Sequence, residues 1–415
     1  MRAILTTDVA ASPIGREAES ILRSCVHCGF CNAVCPTYRL QGDERDGPRG
    51  RIYLIKAMLE GEPIGETTQR HLDRCLTCRA CESTCPSGVR YARLTELVKP
   101  RLEVMVARPA RVRLLRWLLR RVMVDAGRVR ALLALGRAVR RLLPARIARW
   151  VPAARSPGDW PAARHARRLL CLTGCIQESA SPRINAAAAR VLDRLGTSLR
   201  RVPGTVCCGA LPLHLGYVDE ARALARANID AWWPELEAGA SGVFSASSGC
   251  SAMLEEYGVL LADDAGYRKR AERVAELAMD ASAAISASDL RAVLPQRSAA
   301  NAVRIAFQAP CTLQHALKVK GAVENVLEAA GFELVPRQTL ESCCGSAGTY
   351  SLLQPRLANE LRARKLADLA TGDPEAIASA NIGCILHLER SAGVPVRHWI
   401  ELVDDAWPGR ARPRE

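Results

Sequence analysis

The sequence predicts an α+β protein, and three observations carry that prediction. Two four-cysteine runs stand near the N-terminus, separated by segments of helical spacing. From residue 101 to about 150, leucines and arginines alternate at helical period. Beyond residue 166 a strand–helix unit with four cysteines occurs twice. The expected order is a helical cysteine domain over 1–100, an arginine-rich helical connector and linker over 101–165, and two repeated α/β domains over 166–295 and 300–415.

The first run is Cys25, Cys28, Cys31 and Cys35, followed by Pro36. The second is Cys75, Cys78, Cys81 and Cys85, followed by Pro86, and both read C-x2-C-x2-C-x3-C-P. Three thiolates at steps of three residues converge from one tight loop on three corners of an iron–sulfur cube. The fourth leaves in another direction, and in the two-cluster ferredoxin arrangement it ligates the partner cube. Cys25, Cys28, Cys31 and Cys85 are therefore assigned to one [4Fe-4S] cluster, and Cys75, Cys78, Cys81 and Cys35 to the other. Structural zinc takes paired Cys-x2-Cys hooks, to which the third and fourth cysteines are surplus. Disulfides fit worse, since neighbours at this spacing rarely pair. The 39 residues between Cys35 and Cys75 leave room for helices, with Ile52 to Glu60 at helical spacing after a turn-rich Gly42–Arg51 stretch. Leu94 to Val106 reads as a further helix, interrupted at Pro100.

The chain has 415 residues, ample for several domains, and no apolar run long enough for a signal peptide or a membrane-spanning helix. Seventeen cysteines without an export signal point to a reducing compartment and to metal, so a cytoplasmic location is expected. Of the formal charge of +15, the segment Arg101–Trp150 carries +12, with only Glu103 and Asp125 against fourteen arginines. On a helical wheel Leu114, Leu115, Leu118, Leu119 and Val122 share one face, opposite Arg113, Arg116 and Arg120. Leu132, Leu135, Val139, Leu142 and Leu143 repeat the arrangement against Arg130, Arg137 and Arg141. Such helices suit an anionic membrane surface or an acidic partner, or else a solvated face over a core contact. No base-stacking aromatics accompany the arginines apart from Trp117, so nucleic acid is not expected.

Pro144 to Pro161 reads as a linker, and the duplication follows it. Strand-like Arg168–Gly174 leads to Cys175, then Cys207-Cys208-Gly209, then Gly242–Cys250. In the second copy Val303–Pro310 leads to Cys311, then Cys343-Cys344-Gly345, then Ala376–Cys384. In each copy 31 residues separate the first cysteine from the pair, and 41 and 39 separate the pair from the last. Parallel strands alternating with helices would place these cysteines at the carboxyl edge of each sheet, where helix N-termini favour thiolate. Cys171 falls inside a strand and reads as a core residue. No glycine-rich dinucleotide fingerprint follows a strand, so neither FAD nor NAD is expected on this chain.

These segments, together with Glu17–Cys31, Gly42–Lys56, His71–Cys78, Cys85–Tyr91, Asn228–Pro234, Cys311–His315 and Cys343–Tyr350, closely resemble the iron–sulfur subunits of the glycolate oxidase family, with dual ferredoxin motifs and two CCG domains. The anaerobic glycerol-3-phosphate dehydrogenase anchor subunit shares those domains, and lactate dehydrogenase complexes offer another equivalent. A docking scaffold with structural clusters is the reading from a different class. The resemblance implies a membrane-associated complex in which flavin-containing subunits oxidise glycolate to glyoxylate, electrons passing through this chain to quinone or another membrane acceptor. Related domains hold a non-cubane cluster through C…CC…C-x2-C, but Ser247 and Asn381 stand where the first cysteine of the final pair would be. Each copy offers four thiols, Cys175, Cys207, Cys208, Cys250 and Cys311, Cys343, Cys344, Cys384, for a further metal centre or a redox or structural role. His315 and His387 lie near Cys311 and Cys384, as ligands or donors to an acceptor, or as satisfied surface or core histidines.

Overall fold

A computed structural model describes residues 1–144, 148–295, 302–336 and 343–407. Parts of the expected linker (145–147) and of the second repeat (300–301, 337–342 and 408–415) lie outside the described residues.

Every regular element of the first hundred residues is a helix. Helix Pro13–Ser24 starts at Ser12, whose hydroxyl accepts from Gly15 N–H, and buries Ala18, Ile21 and Leu22. Helix Pro48–Leu59 buries Ile52, Ile55 and Met58 against it, and Tyr91–Met105 closes the same core with Leu94, Val98 and Leu102. The expected interruption at Pro100 is corrected, because this last helix runs through the proline. One lost backbone hydrogen bond is offset by the burial of Leu97, Val98 and Leu102 around it.

The connector forms helices Ala110–Met123 and Ala126–Ala138, the second capped by the Asp125 carboxylate on Arg128 N–H. Their orientation corrects the expectation that Arg113, Arg116 and Arg120 share an outward contact face. Arg113 is exposed, but Arg116 is 5% exposed and donates to Glu103 and to the Leu215 carbonyl, at 2.9 and 2.7 Å. Arg120 pairs with Glu220 at 3.0 Å and lies 3.6 Å over the Tyr217 ring. Arg108 anchors the start of the segment to Glu103 and Asp73. Acidic groups from both flanking regions thus draw the arginines inward and turn Leu114, Leu115 and Leu118 to the outside. Each leucine left exposed forgoes roughly 1.5–3 kcal/mol of burial.

Each repeat is built on a four-stranded parallel sheet. Strands β1 (Arg167–Cys171), β2 (Thr197–Arg201), β3 (Gly242–Ser245) and β4 (Ala278–Asp280) run in the order β2-β1-β3-β4. Strands β5 (Arg304–Gln308), β6 (Glu333–Leu334), β7 (Ala376–Ser379) and β8 (Val396–His398) repeat it as β6-β5-β7-β8. The repeats share one core. Ile184, Val191 and Leu192 of the first meet Val323, Leu327, Trp399 and Val403 of the second. The fully buried Asp404 carboxylate joins them by accepting from Arg190 and Arg194 at 2.7 and 3.2 Å. Cys171 ends β1 with no exposure, and burial pushes its thiol far up, as befits a core residue.

Candidate metal centres

The two N-terminal runs fold into the same loop. His27 and Gly29 flank Cys28 with φ of 55° and 85°, and Thr77 and Arg79 flank Cys78 with φ of 50° and 61°. These left-handed residues curl each backbone so that three cysteines face one side. Arg79 stands where the first loop has Gly29, at a cost of about 1–2 kcal/mol. It also pairs with Glu256, tying the second loop to the first repeat. A one-turn helix follows each loop, Phe30–Ala33 and Ala80–Ser83.

Two pockets lie between the loops. Cys25, Cys28, Cys31 and Cys85 line the first, and Cys35, Cys75, Cys78 and Cys81 line the second. The fourth cysteine of each run therefore faces the three leading cysteines of the other. Pro48, Cys81 and Tyr91 border both pockets and form the wall between them. Cys28 is exposed, whereas in the second pocket Cys35 and Cys81 are buried and Cys75 and Cys78 half-buried, and burial drives the Cys78 and Cys81 thiols well above their ordinary range. Burial, with Cys25 adding to it, holds the Cys31 thiol at about 11. Such crowded buried thiols would stay protonated alone, and iron supplies the positive charge that makes thiolates favourable there. The Thr77 N–H donates to Cys75 Sγ at 3.4 Å, a bond that strengthens with a thiolate. The donor sets therefore fit iron–sulfur clusters.

Arg51 is a component that the motif reading missed. It is 1% exposed, donating to the His71 carbonyl at 2.8 Å and Thr37 Oγ1 at 3.0 Å, with Cys35 Sγ at 4.0 Å. Burial alone would lower its pKa, but Cys75, Tyr91, Cys35 and Asp46 outweigh that and raise it. The buried Asp46 carboxylate in turn accepts from Arg74 at 2.8 Å and lies 2.9 Å from His71 Nδ1. The available signal was an arginine in register with Ile55 and Met58 on the inward face of Pro48–Leu59.

The cysteines of each repeat also gather. Cys175 opens helix Cys175–Ala180 just beyond β1, and Cys250 lies in Ser248–Glu255 just beyond β3. Cys175 and Cys207 approach to 3.4 Å between sulfurs, and Cys208 links Cys207 to Cys250. In the second repeat Cys311 meets Cys343, Cys343 meets Cys344, and Cys344 lies 3.2 Å from Cys384. The neighbouring Cys207 thiol and burial push Cys175 up, as Cys343 and burial push Cys311. Gly345, at φ 86°, allows the turn after the pair. A Cβ there would stand 2.6 Å from the Ala358 carbonyl oxygen.

Ser247 and Asn381 do not reach separate sites. They meet each other across the repeat interface, Ser247 Oγ donating to Asn381 Oδ1 at 3.2 Å. Both histidines are buried. His315 Nδ1 is 3.0 Å from Ser83 Oγ, next to the second cysteine loop. His387 donates through Nε2 to the Ala358 carbonyl at 3.2 Å, and burial lowers its pKa to about 4. The second N-terminal pocket adjoins the second quartet: Leu76 and Cys78 pack with Cys311, Cys343 and Tyr350 in one apolar cluster.

Residues 21–89 match the 4Fe-4S dicluster domain family, and 169–255 and 305–389 each match the cysteine-rich domain family. The chain is 48% identical to the glycolate oxidase iron-sulfur subunit of Escherichia coli (strain K12), across 98% of this chain and 99% of that protein. It is 29% identical to a Bacillus subtilis (strain 168) protein named "Probable glycolate oxidase iron-sulfur subunit", across 90% of each. Similarity to lactate utilization protein A of Shouchella clausii is 27% over 52% of this chain and 87% of that protein.

Proposed function

The chain belongs to the family of glycolate oxidase iron-sulfur subunits, and from that premise we propose that it draws electrons from a flavin-containing subunit oxidising glycolate to glyoxylate and passes them towards a membrane acceptor such as quinone. It is the electron-transferring subunit of an oxidoreductase complex and carries iron–sulfur chemistry. A [4Fe-4S] cluster supplies one-electron transfer, which links a two-electron flavin to a distant acceptor. Cys25, Cys28, Cys31 and Cys85 would hold one cluster, and Cys35, Cys75, Cys78 and Cys81 the other.

The observation that carries the reading is the gradient of burial between the pockets. Cys28 brings the first pocket to the surface, where a donor subunit has access. The second has no exposed cysteine and adjoins Cys311 and Cys343. Arg51 holds a positive charge beside Cys35, and Tyr91 keeps the pockets apart. The four thiols of each repeat suffice for a further metal centre, either a cubane or zinc. That centre would extend the route towards the acceptor. A cytoplasmic chain held peripherally at the inner face of the membrane fits such an acceptor, and no described helix is long and apolar enough to cross one. Glycolate is preferred to lactate because the lactate utilization relatives match only about half of this chain.

The test is anaerobic addition of glycolate to the assembled complex, with paramagnetic resonance of the iron. Reduced-cluster signals that grow with glyoxylate support the relay. Glyoxylate formation at an undiminished rate with the iron left oxidised would leave only a scaffold.

A further inference from the structure

In the connector helices Arg116 and Arg120 pair inward, while Leu114, Leu115, Trp117, Leu118, Leu132 and Leu135 face out. Among the described residues, ten of the eighteen exposed large apolar side chains fall between Val104 and Trp150, including Leu114, Trp117, Leu118, Leu132, Leu135 and Leu142. A surface helix ordinarily buries that stripe. Around it stand Arg111, Arg113, Arg121, Arg130 and Arg141, all exposed and without an acidic partner among the described residues. The two acids of the segment are engaged elsewhere, Glu103 with Arg108 and Arg116, and Asp125 at its helix cap. The outward face thus combines leucine, tryptophan and unopposed positive charge.

A groove enters between these helices, lined by Leu118, Val122, Leu132 and Trp150. Its inner wall includes Ile176 and Leu386. Ile176 follows Cys175, and Leu386 lies two residues beyond Cys384, so the groove leads from the apolar face to the helices that carry one thiol of each repeat.

We propose that this face lies in the headgroup boundary of an anionic phospholipid bilayer, its leucines and tryptophan in the acyl region and its arginines on the phosphates, an inference that rests on the membrane acceptor proposed above. Apolar insertion and headgroup attraction act together in such helices, and each alone binds weakly. Charge complementarity selects the occupant. An acidic lipid surface satisfies unpaired arginines on all sides of an apolar stripe and leaves the groove mouth open to a lipid-soluble molecule.

The test is co-sedimentation of the assembled complex with phosphatidylcholine vesicles, with and without phosphatidylglycerol. Binding is expected only with phosphatidylglycerol, falling as salt rises. The triple variant Leu114→Ser, Leu118→Ser, Leu132→Ser is expected to weaken it at least about tenfold. Arg111→Gln with Arg113→Gln and Arg121→Gln should weaken it and flatten its salt dependence. Glycolate-driven cluster reduction and reduction of a soluble dye should persist in both sets, since none of these residues lines a cysteine pocket. Absence of wild-type binding, or unchanged binding of the leucine variant, overturns the proposal. So does burial of the face by another subunit of the complex, seen as protection from solvent labelling without lipid. Loss of glycolate-driven reduction in the unaltered complex would instead overturn the electron-transfer reading and leave vesicle binding untouched.

Discussion

Replacing Cys85 by alanine should abolish the cluster held by Cys25, Cys28 and Cys31, although Cys85 lies next to Cys81 in the other run. The reason is placement: Cys85 lines the pocket of the first three cysteines, and Cys35 lines that of Cys75, Cys78 and Cys81. Loss of one ligand from a four-thiolate set removes about half of the iron that the two N-terminal clusters bind. Double variants make the pairing explicit, because groups that act as a unit are not additive. Cys28→Ala with Cys85→Ala should lose no more iron than Cys85→Ala alone. Cys78→Ala with Cys85→Ala should lose nearly all of it. Iron analysis and paramagnetic resonance of the anaerobic proteins check both outcomes. If each run ligated its own cluster, the two double variants would exchange their results.

Arg51→Gln should both destabilise the N-terminal domain and lower the reduction potential of the cluster at Cys35. The guanidinium is fully enclosed and binds the His71 carbonyl and Thr37, with Asp46 3.7 Å away. Removing one partner from a buried charge pair costs about 3–5 kcal/mol, measurable by denaturant unfolding. The second effect is electrostatic. A reduced cluster carries one more negative charge, which the nearby cation favours, so its loss makes reduction harder. Arg51→Lys separates the two effects: the charge remains and most of the potential returns, while the forked hydrogen bonds and their stability do not. A redox titration in which Gln and Lys variants behave alike would remove the electrostatic account.

The sequence carried the cysteine loops and the duplication because both are local in spacing. C-x2-C-x2-C fixes a loop whatever surrounds it, and the left-handed residues at 27, 29, 77 and 79 are the backbone expression of that spacing. Equal intervals from Cys175 to Cys207 and from Cys311 to Cys343 likewise foretold two sheets of the same strand order. What the sequence withheld depends on distant partners. A helical wheel for Ala110–Met123 separates leucine from arginine but has no sign. Glu103, Asp73 and Glu220 decide which face turns inward, and the last of these lies about a hundred residues away. Ser247 and Asn381 were each legible as a missing ligand, but their meeting required the packing of one repeat on the other. Arg51 was hidden among charged residues of a turn-rich stretch, and only the cores on either side of it show that it is buried.

The claim on which the account depends is that the eight N-terminal thiols hold two clusters. Iron and acid-labile sulfide per chain, determined on protein purified without oxygen and with all eight repeat cysteines replaced by serine, test it most directly. The account predicts about eight of each per chain; about four, or zinc in place of iron, would contradict it.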